Sequence, residues 1–130
     1  MTNPLTPQSS KSGAIASSIL RVLLALVFIA AGGAKLAGVP MMVQLFDQIG
    51  FGQWFRYVTA VVEISGAIGL FIPGATVFAA LWLATTMFFA VLTHLFILRT
   101  PPTPAAVLLA LTLAFAFLRR EQLRVLKAPA

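Results

Sequence analysis

Apolar and polar positions divide this chain into long hydrophobic runs separated by short polar punctuation. Residues 1–13 (MTNPLTPQSSKSG) are polar and carry Pro, Ser and one Lys, the pattern of a disordered tail. Residues 14–37 form an apolar run interrupted only by Arg21 and Lys35 near its ends. It exceeds the roughly 7–15 apolar residues of a cleavable leader and meets the length of about 20 that a membrane-spanning helix needs. A second run, 54–72, stops at Pro73-Gly74, and a third, 75–98, stops at Arg99-Thr-Pro-Pro. The fourth, 104–118, stops at Arg119-Arg120, with Thr103 placed as N-cap and Pro104 at the first helical position. At about 15 residues, roughly 22 Å, it is short against a hydrocarbon core of about 30 Å, and tilt or local thinning has to absorb the difference. Residues 121–130 form a basic tail.

One segment has a different period. Between Pro40 and Gly50, Met42, Leu45, Phe46 and Ile49 fall at i, i+3, i+4 and i+7, while Gln44, Asp47 and Gln48 take the other face. That pattern predicts a short amphipathic helix lying in the membrane interface. Trp54 and Tyr57 then mark the headgroup level at which the second span enters. The fold class expected from these blocks is an all-α polytopic membrane protein. Its domain, residues 14–120, holds four transmembrane helices in an antiparallel bundle, with the amphipathic helix between helices 1 and 2.

Composition narrows the chemistry. The chain is 60% hydrophobic and 9% charged, whereas soluble proteins are about a quarter charged. Nine basic residues face three acidic ones, but they flank helices and tails, which leaves no folded basic face for nucleic acid. Lys11, Arg21, Arg119, Arg120, Arg124 and Lys127 fall on the side of the termini, against Lys35, Arg56 and Arg99 on the other. This bias predicts cytoplasmic termini in a bacterial inner membrane. Cysteine is absent, which excludes thiolate, disulfide and iron–sulfur chemistry by this chain alone, and one histidine cannot build a multi-histidine metal site. No metal is expected.

Glu63 stands out because a carboxylate inside a span is costly and normally has a partner. It lies about seven residues, roughly 10 Å, into the second span from Arg56, too deep for so short a side chain to reach water. Lys35 and His94 fall at similar depth from the same side, on the first and third spans. A Lys35–Glu63 ion pair is therefore feasible, with His94 as the nearest third member. The faces agree: Arg21, Phe28, Gly32 and Lys35 share one stripe, Glu63, Gly66 and Leu70 a second, and Met87, Ala90 and His94 a third. Glycines on these stripes let helices approach closely.

The functional reading is a proton-transfer or ligand layer of Lys35, Glu63 and His94. Gly32, Gly66, Met87 and Phe46 line it, and the amphipathic helix forms its roof. Such a pocket suits a quinone or another lipophilic, proton-coupled molecule, a lipid headgroup, or a membrane-soluble sulfur species. The competing readings are structural. Lys35 snorkels to headgroup phosphate, His94 bonds a carbonyl, Arg21 is a snorkelling anchor, Asp47 is solvated, and the Lys–Glu pair fixes helix register.

Three motifs in order, R-x6-F-x3-G-x2-K (Arg21, Phe28, Gly32, Lys35), E-x2-G-x2-G-L (Glu63, Gly66, Gly69, Leu70) and M-x2-A-x3-H (Met87, Ala90, His94), together with Gly50-Phe51-Gly52, resemble the DoxX family of small four-helix membrane proteins. The likeness covers about residues 18–95. That family takes its name from a thiosulfate:quinone oxidoreductase subunit, and some members are implicated in oxidative-stress complexes. The resemblance implies a quinone-associated or redox-accessory role, with the bilayer, a soluble or membrane redox subunit, and a second copy of the chain as candidate partners. Two further classes stay open: a non-enzymatic assembly or chaperone subunit, and a proton-coupled transporter of small molecules.

Overall fold

The computed structural model describes residues 11–121, and these are helical throughout except for short connections. Five helices follow one another: α1 (Lys11–Ala37), α2 (Pro40–Ile49), α3 (Trp54–Gly69), α4 (Thr76–Thr93) and α5 (Thr103–Leu118). A π-helical turn, His94–Leu98, extends α4. Lys11, Ser12 and Gly13, read from the sequence as the end of a tail, already belong to α1. The rest of the two expected tails, residues 1–10 and 122–130, lies outside the described residues.

Local chemistry accounts for the boundaries. Pro40 opens α2, where its missing N–H is no loss. Gly50 closes it at φ 89°, donating its N–H to the Phe46 carbonyl at 3.2 Å. The face with Met42, Leu45, Phe46 and Ile49 turns inward and the polar face outward, as the periodicity predicts. α3 ends at Gly69, short of the predicted Ile72, because Leu70–Ala75 turns over: Gly74 adopts φ 84°, and the Thr76 hydroxyl reaches back to the Leu70 and Ile72 carbonyls at 3.2 Å. Thr103 does not cap α5. The helix starts on it, Pro102 occupies the cap position, and the Pro102 carbonyl accepts the Ala106 N–H at 2.8 Å.

The helices close into a ring, with α1 on α3, α3 on α4, α4 on α5 and α5 back on α1. Leu24, Phe28, Ala67, Leu70, Leu83 and Phe115 form its core. Glycine sets the closest approaches. A methyl on Gly32 would stand 2.6 Å from Ile64 Cγ1 and 3.1 Å from the Ala60 carbonyl oxygen. The outside is apolar on α1, α3, α4 and α5: Leu26 is 60% exposed, Val61 60%, Phe89 59% and Phe117 62%. A soluble bundle rarely shows so continuous an apolar surface. Lys11–Ala37 and Thr76–Leu98 are long and apolar enough to cross a membrane, and Thr103–Leu118 is a shorter apolar helix.

Candidate functional site

Lys35 and Glu63 meet at 2.9 Å between Nζ and Oε1, their side chains 12% and 3% exposed. The sequence folds this way because both residues sit on inward stripes. On α1 that stripe runs Leu24, Phe28, Gly32, Lys35; on α3 it runs Arg56, Ala60, Glu63, Gly66. Gly32 removes the side chain that would hold the two helices apart one turn before Lys35. The pair is asymmetric. Oε1 takes the ammonium, whereas Glu63 Oε2 is buried with no hydrogen-bond partner. A carboxylate oxygen in that state is a vacant acceptor for an O–H or N–H.

Arg56 was missed by sequence reading, which placed it as the charged boundary of the second span. The structure buries it at 5% exposure. Its Nη1 donates to the backbone carbonyl of Lys35, its Nε to Gln53 Oε1 at 2.7 Å, and its Nη2 to the Tyr57 hydroxyl at 3.1 Å. The guanidinium also lies 4.4 Å from the Tyr57 ring centre. Among the described residues no ion pair joins it to a carboxylate. The Lys35 carbonyl near the end of α1 offsets its charge, since a cation at a helix C-terminus meets the negative end of its dipole. Gln53 carries the network further, donating to Asp47 Oδ1 at 2.7 Å and to the Val43 carbonyl at 2.9 Å. A continuous polar chain therefore ties α2 to α3 and the end of α1. Arg56, seven residues before Glu63 and on the same helical stripe, carried the signal that would have found it.

The other candidates are distributed differently. His94 stands at the start of the π-helical turn, a local irregularity frequent at functional sites. Its Nδ1 is 2.8 Å from Thr100 Oγ1, and no bond among the described residues joins it to Lys35 or Glu63. Phe46 is buried edge-to-face against Phe55 at 5.8 Å and fixes α2 on α3. Met87 belongs to the apolar core. Gly32 and Gly66 are contact points between helices, Gly66 against Leu83 of α4. Gly66 also borders a shallow outer hollow of about 240 Å³ with Ser65, Phe78 and Trp82. Arg21, expected as a snorkelling anchor, has a buried Nε and lies against Phe71 and Phe115.

Comparison with known proteins bears on this geometry. The sequence model of the DoxX-like family matches residues 19–117, which include Arg21, Lys35, Arg56, Glu63 and His94. The chain is 31% identical over 84 residues to a protein of Bacillus subtilis (strain 168) named "Putative oxidoreductase CatD". That alignment takes in 65% of this chain and 63% of the relative, so the chain spans less than two thirds of that protein's length. No solved structure matches. With a matched region that runs from α1 to α5 and carries both members of the buried ion pair, the chain belongs to the DoxX-like family.

Proposed function

We propose that this chain is a multi-pass inner-membrane subunit that binds a quinone-type molecule at Glu63 and serves a redox partner. The observation that carries the reading is the vacant Oε2 of a carboxylate whose other oxygen is already held by Lys35. A quinol hydroxyl is the donor such an oxygen lacks, and the Lys35 ammonium beside it suits a carbonyl oxygen. The donor set fits the ligand class. Such a ligand would supply the two-electron chemistry. This chain's part is to orient it, to exclude water with α2 as roof, and to hold or release a proton at Glu63.

The apolar exterior, the two helices long enough to span, and the family support placement in a membrane. With α3 and α5 also crossing, the basic residues of the termini side face the cytoplasm. The redox reading is supported by the relative's name and by the vacant acceptor. The test is reconstitution of wild type, Glu63→Gln and Lys35→Met, with binding of a short-chain quinol titrated in each. Loss of binding in the variants fits the proposal. Equal binding removes these residues from the site, and no binding by any form refutes it.

A second reading has its own support. Gly32 against Ile64 and Gly66 against Leu83 show close packing on both sides of the pair, as a structural register device would. On that reading Lys35→Met/Glu63→Leu folds normally and still co-purifies with any partner subunit.

A further inference from the structure

The opposite end of the bundle holds a second set of charges that the Glu63 site does not use. Arg21 of α1 and Arg119, just past α5, flank one buried ring: their Cζ atoms lie 6.0 and 5.7 Å from the centre of Phe115. Arg119 Nε donates to Ser17 Oγ at 2.5 Å, and Ser17, one turn before Arg21, is 4% exposed. Arg21 Nε is buried and has no hydrogen-bond partner among the described residues. Two guanidiniums drawn to one place repel, and something has to offset that. Of the chain's three acidic residues, Asp47 is bonded to Gln53 and Glu63 to Lys35, both at the α2 end, and Glu121 lies two residues past Arg119 with a contact of its own. Among the described residues no ion pair joins Arg21 or Arg119 to a carboxylate. Arg120 is engaged separately, 4.0 Å from the Phe117 ring and bonded to the Phe117 carbonyl at 2.8 Å.

We infer that Arg21, Arg119 and Ser17 form a binding site for a phosphate oxyanion, taken from an anionic phospholipid headgroup. Guanidinium forks match phosphate oxygens in pairs, and the aromatic faces of Phe71 and Phe115 hold the forks in place. Depth favours the lipid as source. The end of α5 at Leu118 sets the level of the bilayer surface, where lipid phosphates lie, and Arg21 reaches that level from the buried side. The inference rests on the membrane placement proposed above and not on the Glu63 site.

The test uses the purified full chain in zwitterionic micelles, titrated with phosphatidylglycerol, phosphatidylcholine or inorganic phosphate. Bound lipid is read by native mass spectrometry and the melting midpoint by tryptophan fluorescence. Phosphatidylglycerol is expected to bind wild type selectively and to raise its midpoint. Arg21→Gln and Arg119→Gln each weaken it about tenfold, the size of one lost charge-assisted bond, while Arg120→Gln leaves it unchanged. Arg119→Lys keeps charge without the fork and falls between. Arg119 lies just past α5 and outside the core cluster, so the Arg119 variants carry the test if Arg21→Gln unfolds. Competition by inorganic phosphate supports the site, and protection by phosphate without lipid reassigns its occupant to the free ion. Equal binding by wild type and both variants, or a loss confined to Arg120→Gln, overturns the inference.

Discussion

Replacing Gly66 with alanine puts a methyl group where Leu83 already stands. The new Cβ would lie 2.5 Å from Leu83 Cδ2, 2.6 Å from its Cγ and 3.2 Å from Trp82 Cδ1. Carbon atoms rest at about 3.5–4.0 Å, so the overlap is about 1 Å against a fully buried side chain. Leu83 packs in the central cluster with Ala67, Ala80 and Met87, which leaves it little room to change rotamer. Either α4 moves away from α3 or Leu83 is strained. Overpacking of this kind costs about 1–3 kcal/mol, and the better helix propensity of alanine returns up to about 1 kcal/mol. The net expectation is a loss of about 1–2 kcal/mol. Gly33, one residue past Gly32 on α1, is the control: a methyl there meets nothing within 4 Å, so Gly33→Ala is neutral or slightly stabilising. Unfolding in mixed micelles, followed by the fluorescence of Trp54 and Trp82, gives both values. Adding Leu83→Ala to Gly66→Ala should cost less than the sum of the two single changes, because the truncated side chain vacates the space. Matching midpoints for Gly66→Ala and Gly33→Ala, or strict additivity with Leu83→Ala, would refute close packing of α3 on α4.

Three further outcomes follow from the polar groups. Lys35→Met leaves a buried carboxylate without its cation and should cost about 3–5 kcal/mol, while Lys35→Met/Glu63→Leu recovers most of that loss; additive single changes in the same unfolding assay would count against the pair. Arg56→Met deprives the Lys35 carbonyl, Gln53 and Tyr57 of a shared donor, with an expected loss of about 2–4 kcal/mol. Arg56→Lys should restore only part of it, since one ammonium cannot reproduce the fork, and faster proteolysis near Gly50-Phe51-Gly52 would report the loosened α2. His94→Gln, changed at a partly exposed ring bonded to Thr100, should shift stability by less than about 1 kcal/mol and leave Glu63-dependent binding unaltered; a loss of binding would return His94 to the site.

Much of this fold was legible because hydrophobic blocks and turn residues act locally. Pro40 and Gly50 bounded α2, and the spacing of Met42, Leu45, Phe46 and Ile49 fixed which face it buries. The Lys35–Glu63 pair was legible for a different reason: a carboxylate in an apolar helix demands a counter-charge, and few were available. Thr103 failed as a cap because the chain geometry at Pro101-Pro102 let the helix begin a residue earlier. Arg56 was not legible: an arginine at a helix end reads as a surface charge, but its long stem turns inward where a helix carbonyl and an aromatic ring offer compensation. Depth counted along each helix put His94 level with Glu63. In the structure its ring, at the start of the π-helical turn, bonds Thr100.

The central claim is that Glu63 Oε2 is a vacant acceptor waiting for a ligand hydroxyl. Glu63→Gln tests it most directly, because glutamine can keep an oxygen toward Lys35 while placing an N–H donor where Oε2 stood. The measurement is the ratio of affinities for a short-chain quinol and its oxidised quinone, titrated side by side against reconstituted wild type and Glu63→Gln. The account predicts that the variant loses about tenfold in quinol affinity, one hydrogen bond to a charged group, while quinone binding is retained. An unchanged quinol-to-quinone ratio would contradict it and leave the ion pair as a structural device.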